Sequence, residues 1–154
     1  MERPVLKLSR AAYITWALVL LLVGCTPLIG PYSPTAYQNA TSIKATTLAL
    51  MEKAKEPYAT HQKDIESLLV EVDKAYEFVK GIPSNSISAK QWSILKKPDG
   101  DLLGKFVLRW KERGVLTQAY IDEFKGPISD AFDEIICLEA NKKEATKCSE
   151  KGGK

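Results

Sequence analysis

The strongest constraint on this chain is a stripe of apolar and small residues that holds helical phase from Ala40 to Val79. Between those two lie Ile43, Thr47, Leu50, Ala54, Tyr58, His61, Ile65, Leu68, Val72 and Ala75, in steps of three and four. A strand would repeat every second residue; steps of three and four put the side chains on one face of a helix. Such a face has to be buried against another, so the stripe commits the chain to helices packed on helices. Pro57 falls inside it. Proline lacks the amide hydrogen and its ring crowds the turn before it, so it kinks or breaks a helix. The stripe passes Pro57 without losing phase. The pattern therefore predicts one long helix kinked there, or two nearly collinear ones, rather than a tight hairpin. Gly81 and Pro83 end it.

Three shorter signals follow. Ser88 stands three residues before Gln91, with Ile87 and Trp92 flanking, which predicts a capping box and hydrophobic staple at a helix start. Pro98 keeps that helix short, and Pro98–Asp101 reads as a turn. Leu102, Leu103, Phe106, Val107 and Trp110 form the next stripe, closed by Gly114. Thr117 is a natural N-cap for the last element, whose stripe runs through Tyr120 or Ile121, then Phe124, Ile128, Ala131, Ile135 and Leu138. Gly126-Pro127 interrupts it, again in phase. No period-two alternation and no internal repeat occurs. The expected fold is all-α: a small bundle of two long Pro-kinked helices and two shorter ones, spanning residues 36–141.

The first 24 residues have a different character. Arg3, Lys7 and Arg10 outnumber Glu2, and no charge occurs from Ala11 to Gly24. A helix needs about 20 apolar residues to cross a bilayer. This run is shorter, and a basic start, a short apolar stretch and small residues at its end describe a secretory signal. It ends in Leu22-Val23-Gly24-Cys25. That ending resembles the lipobox of bacterial lipoproteins: Leu, a small or aliphatic residue, Gly or Ala, then Cys. The resemblance covers residues 1–25 and implies that Cys25 is acylated and becomes the first residue after cleavage. It further implies a membrane partner through the lipid. Thr26, standing where Asp would retain the protein in the inner membrane, implies the periplasmic face of the outer membrane. Stable anchoring takes two lipid signals or more, since each buried methylene contributes roughly 0.8 kcal/mol and one chain holds weakly. Residues 26–34, with three prolines and a glycine, do not propagate a helix, so residues 25–35 are expected to be a flexible tether.

Without residues 1–24 the chain keeps 130 residues, enough for one domain with a real core. Its formal charge is then +1, from 19 basic and 18 acidic residues, which makes no case for nucleic acid. Residues 142–154 are Lys-rich and read as a solvated tail. Besides Cys25 there are two cysteines, Cys137 and Cys148. On one straight helix they would lie roughly 16 Å apart, too far to bond. If the polar stretch after Asn141 turns back, they form a disulfide; otherwise Cys137 is a buried thiol and Cys148 a free one.

Catalytic patterns are absent: there is no GxSxG, HExxH, P-loop or GxGxxG motif. His61 is the only histidine, so no His-rich metal site exists, and no cofactor is implied. Asp130, Asp133 and Glu134 sit on adjacent helical turns. Paired carboxylates serve glycan hydrolysis, but the same pattern is an ordinary solvated face. Trp92, Tyr58 and His61 are candidates for contact with a protein partner, since Trp and Tyr are enriched at the centres of interfaces. Equally, Trp92 and Trp110 fill a core. The reading that joins these features is a lipid-anchored envelope protein, not an enzyme, whose helical domain binds or supports a protein partner. A carboxylate-based envelope hydrolase and a carrier of a small hydrophobic ligand are the alternatives.

Overall fold

The computed structural model describes residues 30–142 and Cys148. Its elements are α1 (Pro34–Met51), a 3-10 turn (Glu52–Lys55), α2 (Tyr58–Lys80), α3 (Ser86–Lys96), α4 (Leu103–Arg113) and α5 (Gln118–Ala140). There is no strand among the described residues, and the all-α bundle is as the helical periodicity requires. The expected signal segment, the acylation site Cys25 and most of the expected tail lie outside the described residues.

The helical stripe from Ala40 to Val79 is divided between two helices that fold back on each other. Proline crowds the residue before it out of the helical region. Glu56 accordingly stands extended, at φ −95° and ψ 160°, and α1 ends in the 3-10 turn just ahead of it. The chain then reverses. Gly30, ahead of α1, packs against Ile82, Pro83 and Asn85, just past the end of α2; a Cβ at Gly30 would stand 2.9 Å from the Pro83 carbonyl oxygen. The kinked or collinear arrangement expected at Pro57 is thus replaced by an antiparallel hairpin. Each helix buries its own face, Ala36, Ala40, Ile43, Thr47 and Met51 on α1 and Ile65, Leu68, Val72, Ala75 and Val79 on α2. The loop length happens to preserve phase between them.

The backbone of this elbow is satisfied by the loop between α4 and α5. The Tyr58 amide donates to the Gly114 carbonyl at 2.7 Å, and the Leu116 amide donates to the Ala54 carbonyl at 2.8 Å. The indole Nε1 of Trp110 donates to the Glu56 carbonyl at 3.1 Å. Gly114 adopts φ +77°, a conformation in which a side chain would be strained, and so allows α4 to stop there.

α5 lies antiparallel to α1, as its ion pairs record. Lys44 meets Asp133 at 2.5 Å, and Lys125 meets Glu52 further along. α3 returns antiparallel to α2, with Lys96 on Asp73 at 2.7 Å. Between α3 and α5, Trp92 is fully buried and meets Phe132 edge to face, with centroids 5.9 Å apart. α5 continues through Pro127, as the unbroken phase predicts. Gly126 explains why: without a Cβ it escapes the clash that drives other residues before proline out of the helix. Both residues face solvent.

The start of α3 differs from the capping-box expectation. The helix begins at Ser86, behind Asn85, and Ser88 is buried one turn inside. Its hydroxyl accepts from the ammonium of Lys142 at 3.1 Å, and the same nitrogen donates to Asn85 Oδ1 and, at 2.9 Å, to Glu139. Lys142 is therefore no part of a solvated tail. It is a buried ammonium held by three partners, tying the end of α5 to the start of α3. The net stabilisation from such a pair is small, but the removal of either charge would leave the other stranded. Cys148 is joined to Cys137 by a disulfide, with Cα atoms 5.7 Å apart.

Two substitutions separate what packing and backbone contribute. A Cβ at Gly104 would fall 2.4 Å from the carbonyl oxygens of both Lys96 and Lys97. Gly104→Ala should force α4 off the end of α3 and lower unfolding free energy by about 1–3 kcal/mol. Pro127→Ala restores a donor to an exposed stretch of α5 and should raise it, by about 1–3 kcal/mol. Urea denaturation of the two variants beside the parent measures both signs.

Candidate functional site

The sequence-predicted residues separate in space. Trp92 has no exposure, so it is not available to a partner; its indole is core, packed against Phe132. Tyr58 and His61 lie together at the elbow end, half-buried against Trp110, each with a ring centroid 5.8 Å from it. His61 Nε2 donates to Glu56 Oε2 at 2.7 Å, and Nδ1 is 3.9 Å from Asp64. The hydrogen bond from His61 holds the Glu56 carboxyl below its ordinary value, helped by the charges of His61, Lys53 and Lys55. Burial pushes the Tyr58 hydroxyl up, with a further rise from Glu66.

Asp130, Asp133 and Glu134 are exposed on α5. Asp133 is occupied by Lys44. None of the three lines either of the clefts described below, so the geometry does not gather them around a substrate. No group of three or more His, Cys, Asp or Glu side chains suited to a metal ion occurs among the described residues. No helix among them is long and apolar enough to cross a membrane.

A cleft of about 530 Å³ opens between α2 and α4, closed at one end by the last turn of α3. Leu69 and Val72 of α2 and Val107 and Leu108 of α4 form its apolar walls, with Pro98 beside them. α4 runs antiparallel to α2 here. Trp110, near the end of α4, reaches Tyr58 at the start of α2, while Gly104 abuts Lys96 and Lys97, whose neighbour in space is Asp73. The rim carries Lys96, Lys97 and Lys111 against a single carboxylate, Asp73. Lys96 is committed to Asp73 and to the face of Tyr76, at 4.2 Å from the ring centroid. Lys97 meets only the exposed Asp99, at 3.2 Å. Among these residues the sequence marked Tyr58 alone as a contact candidate, and it placed Val72 and Val107 on buried stripes. Leu69, Leu108 and Lys111 fell outside its view because a cleft between two helices has no signature along either one. A second opening, of about 210 Å³, lies beside Arg109, Arg113 and Tyr120.

The His61–Glu56 contact has a pH signature. A carboxyl whose folded value is depressed stabilises the fold above its ordinary value of 4.5, and that contribution disappears as pH falls through the lower folded value. A carbon-detected NMR titration should place the Glu56 midpoint below 4.5, and His61→Phe should move it up towards that value. An unchanged midpoint in the variant would show that another group holds the carboxylate. Compared with known proteins, the chain matches no family model, no curated protein and no solved structure.

Proposed function

We propose that this chain is a lipid-anchored cell-envelope protein whose helical bundle is a binding or structural module, an accessory subunit or interaction partner of an envelope complex. One observation carries the reading: Leu22-Val23-Gly24-Cys25 ends an uncharged apolar run behind a basic start. The body described above fits such an anchor. Gly30 is already packed on the bundle and α1 begins at Pro34, so residues 30–35 of the expected tether belong to the folded body. Five residues of chain from Cys25 to Gly30 would reach about 15 Å if fully extended. An acylated Cys25 would hold the pole formed by Gly30, Pro83, Asn85 and Lys142 close to the lipid and leave the elbow pole, with Tyr58 and His61, pointing into the compartment. The exposed Tyr32, beside the tether, is then placed where aromatic side chains favour a membrane interface.

The test is processing and capture in a bacterial host. Full-length protein should incorporate labelled palmitate and fractionate with membranes. Cys25→Ser should abolish incorporation and accumulate as precursor. A crosslinked pull-down of the parent should then enrich an envelope protein that the variant does not. Normal processing and membrane retention of Cys25→Ser would contradict the anchor.

A further inference from the structure

We infer that the cleft between α2 and α4 is a binding site for a single-chain anionic amphiphile, an acyl chain bearing a carboxylate or phosphate head. The inference goes beyond the anchored-module reading and stands whether or not Cys25 is acylated.

The cleft has the size of a small-ligand site. The lining residues run from Gly104 to Lys111 on α4 and from Tyr58 to Asp73 on α2. At 1.5 Å per residue those stretches measure roughly 10 and 20 Å. Its volume of about 530 Å³ falls within the roughly 300–1,000 Å³ of small-molecule pockets, and its length suits an extended acyl chain.

Chemistry favours an anionic head. Leu69, Val72, Val107 and Leu108 give an apolar bed, and Leu108 remains 41% exposed although α4 is the most amphipathic of the described helices. Three ammonium groups share the rim; Lys96 is paired with Asp73 and Lys97 with the exposed Asp99, which leaves the positive charge of Lys111 in excess. Lys97 and Lys111 are exposed, Lys97 on the α3 side beside the start of α4 and Lys111 in the last turn of α4. Charge-assisted contacts from both would fix a head group at the rim while the chain lies along the bed.

Photolabelling tests this with full-length protein in lipid nanodiscs. The probe is a tetradecanoic acid carrying a diazirine and an alkyne. Crosslinked peptides should come from Tyr58–Lys80 and Leu103–Arg113, and excess tetradecanoate should reduce labelling at least fivefold. Tetradecanol, with the same chain and no charge, should compete far less. Competition by a lysophosphatidic acid stronger than that by tetradecanoate would assign a phosphate head; the reverse would assign a carboxylate. Lys97→Ala combined with Lys111→Ala changes only exposed side chains, so the circular dichroism spectrum should be unchanged while labelling falls at least fivefold. Labelling spread over α1 and α5, equal competition by the alcohol, or undiminished labelling of the double variant would each overturn the proposal.

Discussion

The extended conformation that Pro57 imposes on Glu56 governs the arrangement of every helix that follows. Once Glu56 leaves the helical region, its carbonyl turns outward from α1 and needs a donor. Trp110 supplies one from α4, and the Gly114–Leu116 loop pairs with the backbone on either side of the break. A buried carbonyl or amide without a partner is destabilising by more than one typical hydrogen bond contributes. The reversal of α1 onto α2 and the docking of α4 are therefore coupled. Neither is complete without the other, and the indole at the junction is almost wholly excluded from solvent.

From that junction the two poles of the bundle acquire different characters. At the elbow pole, α4 is pinned against α2 through Trp110 and Tyr58, but at its beginning Gly104 butts on the end of α3. Held at both ends, α4 cannot close fully on α2, and the cleft is the space left between them. At the opposite pole, Gly30, Asn85, Ser88, Glu139 and Lys142 converge, and the Cys137–Cys148 disulfide lies next to them. A buried ammonium with three polar partners fixes one register for the ends of α3 and α5. Gly30 and Lys142, the two ends of the continuous described span, meet there, and the cleft lies toward the other pole.

Helix content was legible because the apolar period is long and regular: the buried faces of α2 and α4 are those the stripes predict, and α5 keeps its phase through Gly126-Pro127. The relation between helices was not legible. Phase continuity across Pro57 pointed to collinearity, yet phase along a chain says nothing about direction in space once one residue is forced to extend. Small errors share that origin. Phe132 is buried where Ala131 was expected, and Met51 where Leu50 was, each one position from the assigned stripe. Ser88 satisfies the spacing of a capping box, but a buried lysine 54 residues away claims its hydroxyl. Trp92 was a partner candidate by residue type, and of the two roles open to it the core is the one it takes, because α5 passes over it with Phe132. The cleft was invisible for the same reason: it is made by the spacing of two helices, and no residue pattern along one helix encodes its distance from another.

The hairpin at Glu56–Pro57 is the claim on which this account rests, and a single distance decides it. Spin labels at the exposed positions Gln38 and Glu77 would sit on neighbouring antiparallel helices whose axes are about 8–10 Å apart. Pulsed dipolar spectroscopy should then return a narrow distribution within about 25 Å, allowing for the label arms on that spacing. A helix continuing through Pro57 would separate the two positions by roughly 58 Å at 1.5 Å per residue. A distribution near that longer value would contradict the reversal, and with it the Trp110 junction and the cleft that depends on it.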